Sequence, residues 1–244
     1  MKHIQFILAL ALLLGACATP PAPPRSAESY LQEGQEHFDK GSYEDAIAAW
    51  EKARETFQSP ELNLAAEFNI AEAYLISESY PEAEAAYEDF LKQHPESDKS
   101  ASAQYGLAMS YYHQQLTIDR DQAATRKALA AFETLAAKFP EDPRIEEART
   151  LMAECRDRLA AHELYVGRFY VRTKKYQAAA NRLEELFKRY PNFSERDEAY
   201  FLLGQAYLRM GDRSSASRVF DDLNDGFPGS DYALSAQKLL NKAD

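Results

Sequence analysis

The residues best suited to metal or covalent chemistry are His162-Glu163-Leu164-Tyr165-Val166 and Cys155. The first stretch begins like H-E-x-x-H, in which two histidines one helical turn apart bind zinc and the glutamate acts as base. Val166 stands where the second histidine is needed, so two ligands cannot share the helix face. Cys155 and His162 do share a face, but two turns separate them, about 10.5 Å along a helix axis. That is too far for the nucleophile–base hydrogen bond of thiol catalysis. The sequence has no G-x-S-x-G, phosphate-loop or dinucleotide motif and no zinc-ligand spacing. The chain therefore reads as non-enzymatic, with no cofactor and no metal, and Cys155 reads as a small buried hydrophobe.

Cys17 has a different chemistry. Residues 1–16, MKHIQFILALALLLGA, run from a basic start through an apolar core to small residues, the layout of a secretory signal. The apolar run is shorter than the roughly 20 residues of a membrane-spanning helix. Leu14-Gly15-Ala16-Cys17 resembles a bacterial lipobox. The resemblance implies cleavage before Cys17, which would carry a thioether-linked diacylglycerol and an N-acyl chain. Several acyl chains anchor stably where one binds only marginally. Ala18 rather than Asp follows the cysteine, which by resemblance to lipoprotein sorting favours the outer membrane. Residues 17–26 then form a linker whose Pro20, Pro21, Pro23 and Pro24 favour an extended polyproline spacer.

The remaining residues, 27–244, must position whatever surface the protein uses. Fifteen tyrosines, 13 phenylalanines and only 9 glycines suit helices packed through aromatic side chains. The net charge of −11 argues against nucleic acid as a partner, which needs a cationic footprint. The acidity is concentrated in residues 18–100, with 6 Lys/Arg against 18 Asp/Glu, whereas residues 101–244 carry 21 of each.

A repeat runs through this region: a small residue, an aromatic three positions on, a small residue nine further, a large residue four further, and then a proline. Ala71, Tyr74, Ala83, Tyr87 and Pro95 fit, as do Gly167, Tyr170, Ala179, Leu183 and Pro191, and Gly204, Tyr207, Ala216, Phe220 and Pro228. Gly34, His37, Ala46, Trp50 and Pro60 form a looser first copy. In the third copy about eight extra residues separate Ala108 and Tyr111 from Ala128, Phe132 and Pro140. Small residues let two helices of a hairpin approach, and each proline stops the second helix. One hairpin cannot bury its apolar face alone, so hairpins stack.

The spacing resembles that of the tetratricopeptide repeat. It predicts an all-α, right-handed solenoid of about five hairpins, at about 27–60, 64–97, 101–140, 160–193 and 197–230, plus a capping helix at 231–242. Helices are expected at 27–39, 43–57, 62–77, 81–93, 98–116, 123–138, 143–173, 176–189, 195–210, 213–225 and 231–242. The span 143–173 is too long for one repeat helix and reads as a bridge between repeats three and four.

More specific stretches follow. Arg120-Asp121-Gln122, Thr125-Arg126-Lys127-Ala128, Cys155 to Glu163, Val166 to Tyr170, and Ala179-Ala180-Asn181-Arg182-Leu183 with Tyr190-Pro191 together resemble the BamD (ComL) lipoproteins of outer-membrane β-barrel assembly. The resemblance covers nearly the whole mature chain and is most specific over 119–193. It implies a place on the periplasmic face of the outer membrane, beside other lipoproteins of the complex. It implies C-terminal repeats that dock the barrel insertase and N-terminal repeats that face unfolded barrel substrates. Arg182 matches a family arginine involved in insertase contact.

Residues 168–189 carry Arg168, Arg172, Lys174, Lys175, Arg182, Lys188 and Arg189 against Glu184 and Glu185, a net of +5. This segment reads either as a solvated face or as a surface meeting an acidic partner, with Arg182 as a bidentate carboxylate clamp. In the acidic first repeats, Tyr30, Tyr43, Tyr74 and Tyr80 read either as core or as the lining of a groove for an extended substrate segment. Two other lipid-anchored repeat proteins fit the same outline, a pilotin for a secretin pore and a coordinator of cell-wall synthesis. The insertion near 112–122 breaks the regular period of the first, and the proline linker replaces the coiled coil usual in the second.

Overall fold

The computed structural model describes residues 25–56 and 59–242. The signal, Cys17 and Pro20 to Pro24 lie outside the described residues. The described residues form eleven helices: α1 (Ala27–Asp39), α2 (Tyr43–Glu55), α3 (Pro60–Ile76), α4 (Tyr80–Gln93), α5 (Ser100–His113), α6 (Ala123–Lys138), α7 (Ile145–Arg172), α8 (Tyr176–Arg189), α9 (Arg196–Met210), α10 (Arg213–Gly226) and α11 (Asp231–Lys242). Each packs on the next in chain order, the pattern of a stacked solenoid.

The prolines act as expected at four places. His94, Phe139, Tyr190 and Phe227 each precede a proline, and each leaves the helical region with φ between −129° and −140° and ψ between 55° and 64°. The proline ring forbids helical backbone at the preceding residue, so four helices end in nearly the same geometry. Pro60 differs. It is the first residue of α3, where its missing N–H is no loss, and Ser59 Oγ accepts the Leu62 N–H at 3.1 Å. Pro60 thus opens the second hairpin rather than closing the first.

Within hairpins, small residues face large ones. A β-carbon added at Gly34 would lie 2.3 Å from Trp50 Nε1, one at Gly167 2.7 Å from Leu183 Cδ2, and one at Gly204 2.3 Å from Phe220 Cε1. Between hairpins, Tyr111 donates to Glu88 and Tyr207 donates to Glu184, both across a separation of 23 residues.

The same register explains α7. Arg156 Nη2 donates to Glu133 at 2.7 Å, again 23 residues away. Arg156 stands where the other repeats place tyrosine, so the N-terminal half of α7 is the first helix of a unit following α6. Gly167 and Tyr170 begin another first helix within the same α-helix. Helix α7 is therefore two such helices fused end to end, their reference positions Ala153 and Gly167 about 21 Å apart along the axis. The core divides at this point: Ile145, Ala148 and Cys155 pack with α3 to α6, while Leu159, Ala160 and Leu164 pack with α8 and α9.

The segment 114–122 accounts for the third repeat's extra residues. It leaves α5 after His113 and lies against the middle of α7. Arg158 donates to the Leu116 carbonyl, with Nε at 3.1 Å, and His162 Nδ1 lies 2.6 Å from the Ile118 carbonyl. Gln122 is fully buried and holds the loop through the Thr117 and Arg120 carbonyls. No described helix is long and apolar enough to cross a membrane.

Candidate partner-docking site

The basic segment 168–189 spans the end of α7, a tight turn and α8. The turn forms because Lys174 adopts a left-handed conformation, φ 61°, letting Lys175 N–H reach the Tyr170 carbonyl at 2.9 Å. The equivalent turns of the first and fifth hairpins use Gly41 (φ 75°) and Gly211 (φ 82°). A lysine there costs about 1 kcal/mol in backbone strain that glycine would avoid, and it keeps a cation at the tip. Arg172, Lys174 and Lys175 are exposed and form no ion pair among the described residues. The Arg172 guanidinium lies 5.7 Å from the Phe169 ring.

The other cations of the segment already have carboxylates. Arg182 Nη1 binds Glu163 Oε2 at 2.6 Å, and Arg189 lies 3.9 Å from the second oxygen of Glu163. Arg168 Nε binds Glu198 Oε1 at 2.7 Å on the neighbouring α9. Glu163 and Glu198 are each only 14% exposed, while Arg182 and Arg168 are 39% and 44% exposed. At such exposure each pair contributes about 1 kcal/mol or less. The structure thus brings Arg182 and Arg189 together at Glu163, sets Arg168 apart at Glu198, and leaves a bare cationic tip at 172–175. Glu163 and Glu198 lie outside the segment whose charge was summed, so the +5 overstates the field. Glu163 was visible in the sequence as part of the failed zinc pattern and of the Cys155–Glu163 family stretch, but not as a partner of Arg182.

Arg182 keeps donors to spare. Its guanidinium has five N–H groups in a fixed fork, and Glu163 takes one. A second carboxylate can bind the exposed side without displacing the first.

The four tyrosines of the acidic repeats do not form one aromatic lining, although Tyr30 and Tyr74 pack against the same cluster. Tyr30 packs in the α1–α3 cluster with the Arg25 guanidinium 5.2 Å from its ring. Tyr43 meets Phe38 edge-on at 5.4 Å. Tyr74 sits between the first two clusters, and burial raises its pKa. Tyr80 stacks on His113 at 4.8 Å. All four are half-buried, and no ring contact joins any two of them.

Cys155 is fully buried, with Gln115 Nε2 3.3 Å from its sulfur. Burial pushes its thiol pKa up to about 11. A thiolate is therefore disfavoured at this position, and the His162 ring is engaged with the loop carbonyl.

A family model described as YfiO, outer membrane lipoprotein, matches residues 24–221. The chain belongs to the YfiO family. The match runs from just before α1 through most of α10, so it takes in both halves of α7 and the turn at Lys174. Three relatives named outer membrane protein assembly factor BamD come from Caulobacter vibrioides, Neisseria meningitidis and Rickettsia prowazekii. Each is 27% identical. The alignments cover 98%, 97% and 98% of this YfiO-family chain and 80%, 95% and 96% of the respective relatives. The resemblance over nearly the whole mature chain, most specific at 119–193, agrees with this coverage.

Proposed function

We propose that this protein is a non-enzymatic scaffold of outer-membrane protein assembly. It is anchored through lipid on Cys17 to the periplasmic face of the outer membrane and binds the periplasmic domains of the β-barrel insertase. The observation that carries this reading is the family match across both parts of the solenoid together with the names of the BamD relatives. The site supports it physically. Arg182 has a fork with free donors on an exposed side, and Arg172, Lys174 and Lys175, in the turn leading into its helix, form no ion pair among the described residues. An acidic partner surface would meet the unpaired tip first and steer toward Arg182, with Arg168 and Arg189 at the edges. Other lipoproteins of the complex would share the same solenoid. The seams of the acidic first repeats, near Tyr30, Tyr43, Tyr74 and Tyr80, are where unfolded barrel segments would lie. No cofactor enters the reading beyond the covalent lipid.

The test is a binding measurement between the purified chain and the purified periplasmic domains of the insertase. Arg182→Glu should weaken binding by about tenfold or more, since it replaces a charge-assisted contact with repulsion. Unchanged binding with intact helical content would overturn the placement of the contact. No binding by the unaltered chain would overturn the function.

A further inference from the structure

The repeat register exposes a face that the rest of the solenoid covers. Two positions flank the small reference residue of each first helix, two residues before it and two after. Where one first helix packs against the preceding one, as α3 does on α1, α5 on α3 and α9 on α7, the later position turns inward and the earlier one is buried or, at Asn69 of α3, half-buried. The later position is then small and fully buried: Ala73, Ser110 and Ala206 are each 0% exposed. In the N-terminal half of α7 the same position is Cys155, also 0% exposed, with Gln115 of the 114–122 loop against it. The earlier position is Gly106 in α5 and Leu202 in α9, both buried.

Among the described residues, two places lack a preceding first helix. One is the open start of the solenoid, where the two positions are Gln32 and Glu36, polar and exposed as an end facing water should be. The other is the C-terminal half of α7, because the helix that would precede it lies in line with it. There the two positions are Tyr165 and Phe169, 37% and 42% exposed. The 114–122 loop covers the same stripe at Arg158 and His162 and stops one turn short of Tyr165. Leu116 of that loop, whose carbonyl Arg158 holds, is itself 49% exposed. Large aromatics at a bare start position, where the true end carries Gln and Glu, mark a surface that is covered in use. Beyond Phe169 the stripe runs into Arg172, Lys174 and Lys175, none with a carboxylate among the described residues.

We propose that the Tyr165–Phe169 face of α7 docks an amphipathic helix of a partner protein, in the place a preceding repeat helix takes elsewhere. The occupant is a helix because a helix fills the equivalent place before α3, α5 and α9. It presents small side chains, because α7 carries Tyr165 and Phe169 where the receiving helices of the covered repeats have the small Ala73, Ser110 and Ala206. It carries carboxylates at the end facing Arg172, Lys174 and Lys175. This holds whichever complex the chain joins.

The test is site-specific photo-crosslinking of the full chain in the cells that make it. A benzophenone side chain is placed at 165 or 169, with 32 and 36 as open-end controls, and the linked peptide is sequenced. The expected result is a segment of another protein with helical periodicity and carboxylates within a turn of the link. Its yield should exceed that at 32 and 36. The triple change R172E/K174E/K175E should reduce the yield at 169 by about tenfold, as the loss of three screened attractions implies. Tyr165→Gln with Phe169→Glu, which copies the open end, should abolish retention of that protein while leaving thermal melting of the chain unchanged. A link to a second copy of this chain, to lipid or to an extended segment would overturn the proposal, as would yields equal to the controls.

Discussion

Replacing Gly204 by alanine tests the close approach of helices on which the stack depends. An added β-carbon would lie 2.3, 2.6 and 2.7 Å from three ring atoms of Phe220. Carbon atoms normally rest about 3.5–4.0 Å apart, so the ring must withdraw by roughly 1 Å. It has nowhere open to go, because Phe220 is fully buried among Leu223, Ala233 and Ala236. Overpacking costs about 1–3 kcal/mol, and a ring with no open side lies in the upper part of that range, about 2–3 kcal/mol, against about 1 kcal/mol regained from alanine's helix propensity. The net expected loss is about 1–2 kcal/mol, or a fall in melting temperature of about 2–8 °C for a chain of this size. Circular dichroism melting measures it. Hydrogen exchange should place the weakening in α9 to α11 and spare α1 to α5, since each unit touches only its neighbours. In a double-mutant cycle, Phe220→Leu should relieve the clash, so the double variant is less destabilised than the sum of the two singles. An unchanged or raised melting temperature for Gly204→Ala would refute the close packing.

Three further outcomes follow from the geometry. Phe132→Ala empties a fully buried site in the core that ties α6 to α5, and chemical denaturation should show a loss of about 3–5 kcal/mol. At alkaline pH the fold should weaken. Cys155 is raised to about 11, chiefly by burial, and Tyr112 to about 12, chiefly by its hydrogen bond to Glu154. Both are neutral when protonated, so their contribution is complete below their ordinary values of 9.0 and 10.0 and is lost as pH rises through the folded values. A pH series of melts should be flat to about pH 8.5 on this account and fall above it, with Tyr112→Phe flattening the upper part. Glu163→Ala removes the carboxylate shared by Arg182 and Arg189. It should leave both free and increase the salt dependence of binding to an acidic partner, read as the slope of affinity against ionic strength.

Much of this fold is legible in the sequence because each hairpin uses local rules. A small residue sits opposite a large one, and proline follows the second helix, so the expected helices agree with the structure to within a few residues. The largest difference is at the end of the fifth helix. It ends at His113 rather than near 116, because Arg158 and His162, more than 40 residues away, bind the carbonyls of the following loop. No local pattern announces that contact. The length of α7 was legible, but its composition as two fused first helices was not. That emerges only when Arg156 is seen to occupy the tyrosine position opposite Glu133. The cations of 168–189 were legible as charges. Their neutralisation by Glu163 and Glu198 was not, since those carboxylates reach them from other helices. The exposure of Tyr165 and Phe169 is hidden for the same reason, because aromatic residues at helical spacing look like core until the neighbouring helix is found to be missing.

The most direct test of the assembly reading is purification of the tagged full chain from detergent-solubilised outer membrane, with the co-purifying proteins identified and quantified. The account predicts the barrel insertase in near-equal amount, retained by the unaltered chain and depleted by Arg182→Glu. Recovery of a secretin or a cell-wall synthase without the insertase would contradict it.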